Sequence, residues 1–413
     1  MFVVALLSVV AAASAPLTLD EAWAVARERS PRLRAAGADV DVAAAEADVA
    51  GRWLPDPTLQ LSGSTDALTS QEGELDLDAS LQQVVRWPME TWASQAGARA
   101  LVDAATHDQA RAAVAAWRDV AVAFSALAAA LDERAVQQGV QAIAARVNTA
   151  ALERVRMGQS AAIEASFAAV DLAAATSATA LAESAVAAAR ASLCRELAQD
   201  ECADVDVVWP LLPVPALTDD QLLAVIEARP DVAAAQKRAS NARALREAAG
   251  WRRVPAPTLG LMATQERSVI DGADGALNDD DTLLGLRVSV PLPVFSFGAG
   301  TTAVADAQQR RSEAERDDMR LRALHQTRAA LQTWRASVSA RDAWQGVEPR
   351  FDESLRWLAD GYLGGVVDLD ALLTGRDRIA RARLAAIGAR RAEVIAAADA
   401  LLALGTIPSG ATP

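Results

Sequence analysis

The stretch PDPTLQL at residues 55–61 returns as PAPTLGL at residues 255–261, an offset of 200 positions. The lead-in to each copy is also similar, because LTLDEA at residues 17–22 has a counterpart in LTDDQL at residues 217–222. A repeat on this scale indicates two structurally equivalent halves, each holding a helical segment, alternating strands and further long helices.

The composition favours long helices over a thick globular core. Of the 413 residues, 52% are apolar but only 4% are aromatic, so Ala, Leu and Val dominate the apolar content. Such residues suit closely packed helices. The net charge of -14, with no basic run, argues against a nucleic-acid partner, because phosphate binding needs a basic face.

The N-terminus, residues 1–15, is predicted to be a signal peptide, since an apolar run ends in an A-x-A cleavage box at Ala15. Two features oppose this prediction: no Lys or Arg precedes Arg27, and cleavage after Ala15 would leave Pro16 at the new N-terminus. The alternative is a short buried helix.

Each proline motif opens a segment in which apolar and polar residues alternate, the pattern typical of strands. The alternation predicts β-hairpins over about residues 57–86 and 257–291, with acidic loops at residues 66–74 and 267–281. The second loop is expected to be solvated, and a calcium site is the alternative reading of its aspartates.

The predicted strands have an apolar face and a polar face that includes Gln60, Asp76, Asp78 and Arg287. In a soluble sandwich the apolar face meets another sheet, whereas in an outer-membrane barrel it meets lipid. Four strands cannot close a barrel, and their edges need partners. The strands are therefore shared among several copies or covered by another element. No stretch offers the ~18 uninterrupted apolar residues of a transmembrane helix, so only strands would cross a membrane.

Long helices follow each hairpin. No proline interrupts residues 90–156, which predicts a helix on the order of 100 Å at ~1.5 Å per residue. Its coiled-coil seam repeats at spacings of three and four residues. A returning helix carries a second apolar stripe, which we also expect to be core. The seam comprises Trp117, Val120, Phe124, Leu127 and Leu131, and the returning stripe comprises Ile163, Phe167, Val170 and Leu181.

The predicted organisation beyond the signal peptide is a first repeat at residues 16–210, a second repeat at residues 211–405 and a tail at residues 406–413. Helical turns fall near residues 157–160 and 361–367, at Met-Gly-Gln and Gly-Gly sequences respectively.

Two cysteines, Cys194 and Cys202, lie close together at the end of a helical pattern. In an oxidising compartment this spacing allows a disulfide, and two unpaired thiols are the alternative. A metal site is disfavoured because the two histidines, His107 and His325, lie in other segments.

Several motifs together resemble the TolC-type outer-membrane efflux family. They are LTLDEA at residues 17–22, LPDP at residues 54–57, VSVPLPVF at residues 288–295 and YLGGVVDL at residues 362–369. The resemblance covers Leu17 to about Gly405, and the sequences PDP and QVVRWP are most similar to the heavy-metal and cation efflux branch.

The resemblance implies a mainly α fold with a small β part. Long antiparallel coiled-coil helices would form an α-barrel, the periplasmic tunnel, and four strands per chain would join a twelve-stranded outer-membrane barrel in a homotrimer. It implies localisation in the outer membrane with most of the mass in the periplasm. The implied partners are outer-membrane lipid, a periplasmic adaptor (membrane fusion protein) and an inner-membrane transporter.

The resemblance also implies that the two helical turns form the periplasmic entrance and contact the adaptor. Some family members place carboxylates six and nine residues after the second-turn glycine, where this chain has Ala371 and Thr374. Three copies of an acidic residue around the axis would favour cations; the alternative is a solvated residue at a helix start. The candidate entrance residues are Gly158, Glu164, Gly364, Gly365, Asp368 and Asp370.

The function predicted from these features is passive conduction through an outer-membrane exit duct of a tripartite efflux or type I secretion system. No phosphate loop, catalytic triad or histidine cluster points to an enzyme, and no catalytic, cofactor or metal residue is predicted. The competing function is a non-channel periplasmic coiled-coil adaptor or scaffold, which leaves the paired hairpins unexplained. The transported substrate cannot be inferred because a passive duct need not bind its cargo.

Overall fold

The computed structural model describes residues 16–65, 75–200, 206–272, 275–292 and 298–408. The predicted signal peptide at residues 1–15 and the predicted loop at residues 66–74 lie outside the described residues, so both stay predictions.

The elements follow the same order in the two halves. The first half contains α1 Leu19–Arg29, α2 Pro31–Ala50, β1 Thr58–Thr65, β2 Leu75–Val84, α3 Pro88–Arg156 and α4 Ala162–Glu196. The second half contains α5 Asp219–Ala228, α6 Pro230–Trp251, β3 Thr258–Gly272, β4 Gly275–Ser289, α7 Ala299–Gln345, α8 Phe351–Leu363 and α9 Leu369–Leu404. Where the first half has the single helix α3, the second half has α7 and α8, separated by a 3₁₀ turn at Glu348–Arg350.

The equivalent helices α1 and α5 begin in the same way. The Glu21 backbone N–H donates to Thr18 Oγ1 at 3.3 Å, and the Thr18 backbone N–H donates to Glu21 Oε2 at 2.9 Å. Thr218 and Gln221 repeat this reciprocal pair at 3.4 and 3.0 Å. Such a capping box satisfies two helix-end donors and fixes where each helix starts.

The chain forms two compact units, and each draws segments from both halves. The helical unit contains the described residues up to Ala36, those within Gln109–Pro230 and those from Leu321 onward. The sheet unit contains Gly37–Asp108 and Asp231–Arg320. The sequence repeats and the compact units are therefore different divisions of the chain.

The core of the helical unit confirms the predicted seam of α3. Trp117, Val120, Phe124 and Leu127 are buried in one cluster, with Leu131 partly buried against it. Alanines and leucines from α1, α4 and α9 complete this cluster, so the alanine-rich composition serves close helix packing.

The apolar stripe of α4 was expected to be core, and this expectation is wrong for the single chain. Ile163, Phe167, Val170 and Leu181 are 57–70% exposed. The buried face of α4 instead carries small residues such as Ala165, Ala168 and Ala175. Alanines let α4 approach its neighbours closely, and the larger side chains are left on the outer face.

By length and composition, α3 and α4 are the two described helices that could cross a membrane. Neither apolar stretch is uninterrupted, which is why the sequence alone predicts no such helix. The stretch in α3 is 67% buried within the protein, as in an ordinary core helix, whereas that in α4 is 22% buried. Since α4 owes its apolar character largely to alanine, its length and composition carry little weight as evidence for a membrane span.

The sheet unit contains one antiparallel four-stranded sheet in the order β1-β2-β3-β4. The predicted acidic loop at residues 267–281 is wrong, because β3 continues to Gly272 and β4 starts at Gly275. Arg267 lies directly opposite Asp280, and its Nε donates to Asp280 Oδ1 at 2.7 Å. Opposite charges on facing strand positions stabilise pairing, so charged residues here extend the hairpin.

Core packing predicts different costs for two identical substitutions on α3. Leu127 is buried and Leu152 is exposed. We expect Leu127→Ala to lower the free energy of unfolding by about 2–5 kcal/mol, because it removes buried methyl groups and leaves a cavity. Leu152→Ala should cost less than about 1 kcal/mol. Urea unfolding of both variants measures the difference, and equal losses would contradict the assigned core.

Candidate functional site

Both helical turns depend on a glycine in the left-handed backbone region. Gly158 has φ +72 and Gly365 has φ +77, values that disfavour any residue with a Cβ. Gly158 follows α3, and its N–H donates to the Val155 carbonyl at 3.0 Å. Gly365 follows α8, and its N–H donates to the Tyr362 carbonyl at 3.0 Å. The preceding Gly364 keeps a right-handed helical conformation at the end of α8.

Tyr362, at the end of α8, joins the two turns. Its side chain is fully buried among Val147, Ala168 and Leu372. Its hydroxyl donates to Glu164 Oε1 at 3.3 Å, and the Ser160 hydroxyl donates to the other carboxylate oxygen. Glu164 is therefore a hydrogen-bonded, half-buried carboxylate in the first turn of α4.

Arg154, near the end of α3, also contacts Tyr362. Its Nη2 donates to the Tyr362 carbonyl at 2.5 Å, and its guanidinium carbon lies 4.5 Å from the centre of the Tyr362 ring. Such a cation over an aromatic face is attractive, and more so where water is excluded. The two turns are thus tied by Arg154, Tyr362 and Glu164, which we call the turn clasp.

The remaining entrance candidates differ from one another. Asp368 is the N-cap of α9, and its Oδ1 accepts from the Ala371 N–H at 2.7 Å. This is the helix-start role that the sequence left as an alternative. Asp370, in the first turn of α9, is exposed. Of the three carboxylates, Asp370 is the one most available to solvent or ions.

A buried ion pair between α4 and α9 was not predicted from the sequence. Arg376 Nη1 and Nη2 donate to the two carboxylate oxygens of Asp171 at 2.5 and 2.6 Å, and Nη2 also donates to Asp377 at 3.1 Å. Burial alone would lower the pKa of Arg376, but the hydrogen bonds and negative charges of Asp171 and Asp377 together outweigh burial and raise it. The guanidinium therefore stays charged, and the pair fixes α4 against α9.

The sheet brings the four predicted lumen residues to one face. Strand pairing aligns Ser62 with Asp78 and Gly260 with Arg287, and facing residues share a side of an antiparallel sheet. This face is hydrogen-bonded across strands: Gln82 donates to Gln60 at 2.8 Å, and Thr264 donates to Asp78 at 2.6 Å. Gln60, Asp76, Asp78 and Arg287 therefore lie on the same, mainly polar face of the sheet.

The opposite face of the sheet is apolar and uncovered. Its leucines and valine include Leu61 at 73%, Leu284 at 84% and Leu286 at 83% exposure. Exposed apolar patches on this scale are rare in monomeric soluble proteins and mark a surface that meets protein or lipid. The members are Leu59, Leu61, Leu77, Leu81, Leu259, Leu261, Leu284, Leu286 and Val288.

Cys194 is buried near the end of α4 and is disulfide-bonded. Cys202, its predicted partner, lies outside the described residues. Across the described part of the chain, no group of three or more His, Cys, Asp or Glu side chains could hold a metal ion.

Comparisons with known proteins agree with this arrangement. Residues 223–406 match the family model described as "Outer membrane efflux protein". No curated protein matches the chain. Several solved structures share its fold along nearly the whole length.

Three of these structures illustrate the likeness. CusC, whose crystal structures concern the conformational changes that accompany folding and transmembrane channel formation, is 15% identical with a TM-score of 0.75, covering 94% of this chain and 91% of its own. The outer membrane protein VceC of Vibrio cholerae is 18% identical with a TM-score of 0.72, covering 94% and 96%. The outer membrane channel CmeC of Campylobacter jejuni is 14% identical with a TM-score of 0.73, covering 95% and 86%. The predicted TolC-type resemblance is confirmed.

The turn clasp predicts an unusual titration of Tyr362, the only tyrosine in the sequence. Burial and the Glu164 carboxylate both disfavour the phenolate and raise the pKa of Tyr362 above its ordinary value of 10.0, although Arg154 partly opposes them. Tyrosinate absorbance at alkaline pH should therefore have its midpoint above 10.0, and Glu164→Gln should lower that midpoint. Glu153→Gln, at an exposed neighbouring carboxylate, should leave it unchanged.

The raised pKa of Tyr362 also makes the stability of the folded protein depend on pH. Because the folded pKa is raised above the unfolded value, the stabilisation from protonated Tyr362 is complete below about pH 10 and is lost as pH rises through the folded pKa. An ordinary midpoint in the folded protein, insensitive to Glu164→Gln, would contradict the clasp.

The buried ion pair predicts a large effect of Asp171→Asn. Arg376 would remain buried without its main carboxylate partner, so we expect a loss of about 3–5 kcal/mol in the free energy of unfolding. Glu153→Gln breaks an exposed ion pair with Arg156, which is 2.8 Å long, and should cost under about 1 kcal/mol. Chemical denaturation of both variants measures this contrast, and a small loss for Asp171→Asn would show that the pair does not fix α4 to α9.

Proposed function

We propose that this chain, which is a TolC-type outer-membrane efflux protein, is the exit duct of a tripartite efflux or type I secretion system and works as a homotrimer. As an outer-membrane efflux channel it has most of its mass in the periplasm. The duct would conduct its cargo passively from an inner-membrane transporter and a periplasmic adaptor to the exterior.

The proposed trimer is supported mainly by the sheet, which is open at both edges and has an uncovered apolar face. β1 and β4 are its edge strands. In a bilayer every backbone polar group needs a partner, so a sheet can span only as a closed barrel. Three copies would supply twelve strands, with β4 of one copy pairing with β1 of the next. The exposed leucines would then face lipid.

The polar face of the sheet supports a water-filled lumen. Gln60, Asp76, Asp78 and Arg287 share this face with further hydroxyl and amide groups. If the barrel closes with its leucines facing outward, these polar side chains face inward. Membrane barrels have this arrangement, because successive side chains along a strand face lipid and water in turn.

The exposed stripe of α4 supports a helical tunnel. Phe167, Val170 and Leu181 are too exposed for a stable monomer surface, and they follow one helix face. Packing against helices of the adjacent copy would bury them. The stripe predicted as core would then become core in the trimer.

The two helical turns support adaptor contact. Apolar residues are displayed beside the turn glycines, with Val366 at 87% exposure and Met157 at 57%. Such residues at a turn favour an apolar partner surface, and the adaptor tip is the partner that the family resemblance implies. The turn clasp holds both turns of one protomer together, so we regard this structure as a closed arrangement of the entrance.

The carboxylates near the turns support a preference for cations at the entrance. Asp370 is exposed, whereas Glu164 is engaged by Tyr362 and Ser160. Three copies of Asp370 around the axis would form a negative ring, and opening the clasp would add Glu164 to it.

The alternative function is a non-channel periplasmic adaptor or scaffold. The helices alone would suit it. The hydrogen-bonded sheet with one bare apolar face favours the channel, because a soluble scaffold would leave that face in water.

Fractionation separates the two functions. A channel should be found in outer-membrane fractions and run as a heat-resistant trimer in mild detergent. Recovery of the protein as a soluble periplasmic monomer would contradict the channel proposal and favour the scaffold function.

The entrance proposal predicts altered ion selectivity. Asp370→Asn combined with Glu164→Gln should move the reversal potential in a salt gradient towards zero, because both changes remove negative charge at the constriction. Planar-bilayer recordings measure this potential. Asp219→Asn with Asp220→Asn, which alters two exposed carboxylates in the first turn of α5, is the matched control. An unchanged potential in the entrance variant would rule out these two residues.

A further inference from the structure

Every tryptophan of the sheet unit lies where strands give way to helices. Trp53 follows α2, Trp87 follows β2, Trp92 is near the start of α3, and Trp251 ends α6. The other six of the ten tryptophans belong to the helical unit. The strands themselves carry no tryptophan, which is why the sequence shows no aromatic girdle on them.

Hydrogen bonds bring these segments to one level of the sheet unit. Trp87 Nε1 donates to the Val254 and Pro255 carbonyls, both at 3.1 Å. The Arg86 N–H donates to the Trp53 carbonyl at 3.2 Å, and the Val254 N–H donates to the Trp251 carbonyl at 3.0 Å. The chain entering β1, the chain leaving β2 and the chain entering β3 are thus joined immediately below the sheet.

The four indole rings at this level are exposed, and the Trp87 ring is also held by its hydrogen bonds. Trp92 is 63% exposed, Trp53 54%, Trp251 39% and Trp87 38%. Trp87 follows β2, which ends at Val84, and its ring N–H contacts the segment that enters β3. The four exposed rings therefore lie at the end of the sheet where the chain passes between strands and helices.

The same level is positively charged, in contrast to the chain as a whole. The joined segments 51–57, 85–92 and 251–257 contain four arginines against Asp56 and Glu90, a balance of +2, whereas the whole chain carries -14. Glu90 is already paired with Arg252 at 2.8 Å. Arg52, Arg253 and the half-buried Arg86 supply the remaining positive charge.

We propose that Trp53, Trp87, Trp92 and Trp251, here called the tryptophan belt, meet the glycerophospholipid headgroups of the periplasmic leaflet of the outer membrane. Indoles favour the boundary between headgroups and acyl chains, because the ring is apolar and its N–H is polar. Arginine donors match phosphate oxygens. The inference rests on the proposed insertion of the sheet, and it assigns the periplasmic leaflet because the long helices α3 and α7 start at this end.

Fluorescence quenching by lipid-borne bromines tests the belt. The full chain is reconstituted in vesicles whose phospholipids carry bromines either near the headgroup end or near the methyl end of the acyl chain. We expect stronger quenching by the shallow bromines. Replacing the four belt tryptophans by phenylalanine should remove most of this quenching, because the remaining six tryptophans belong to the helical unit, which the proposed function leaves outside the bilayer.

A matched variant replaces Trp209, Trp334, Trp344 and Trp357 of the helical unit and should retain the quenched signal of the wild type. Stronger quenching by deep bromines, or unchanged quenching in the belt variant, would overturn the proposal. Rings buried against a neighbouring copy would also overturn it, and they would show as unquenched emission. If the fourfold variant does not fold, Trp53→Phe and Trp92→Phe singly should each reduce shallow quenching.

Measuring the conductance of the same vesicles distinguishes a failure of the belt proposal from a failure of the proposed channel function. Vesicles that conduct but show no shallow quenching would overturn the belt alone, whereas protein that neither conducts nor inserts would overturn both. The arginines give a second readout: Arg52→Gln with Arg253→Gln should weaken the enrichment of phosphatidylglycerol over phosphatidylethanolamine around the protein. Arg99→Gln with Arg310→Gln, at exposed helical sites of the sheet unit, should not change it.

Discussion

The bare leucine face of an open four-stranded sheet is the constraint on which the rest of the structure depends. A face of this kind is unstable in water, and edge strands in lipid leave backbone groups without partners. One chain cannot resolve both problems. The proposed oligomeric closure would resolve them together, and it would also give the polar face of the sheet an aqueous lumen. The exposed stripe of α4 in the helical unit also needs a partner surface, because a neighbouring helix would bury Phe167 and Val170.

Within one protomer, the helices are fixed by a few polar contacts rather than by a thick core. Three of the seven buried residues of α4 are alanines, and small side chains provide little burial per residue. The Arg376–Asp171 pair and the turn clasp therefore act at positions where apolar packing is thin. Contacts of this type have a discrete bonded geometry, so they fix one arrangement of the helices.

The sequence predicts the elements well because their signals are local. Alternation identifies both hairpins, uninterrupted helical sequence identifies α3, and the seam of Trp117 and Phe124 is core as predicted. The prediction fails at residues 267–281. The aspartates there suggest a loop, but cross-strand pairing extends the strands. The clasp could not be predicted, since Tyr362 and Glu164 are 198 positions apart. The tryptophan belt is likewise not predicted from the sequence, because its members lie outside the strands.

These features converge on a single claim, that three copies close one barrel. Single-particle imaging of the full chain in lipid nanodiscs tests it most directly. The account predicts a threefold particle in which β4 of each copy pairs with β1 of the next, with the leucine faces turned to lipid. A monomer, or an oligomer in which those two edge strands remain unpaired between copies, would contradict it.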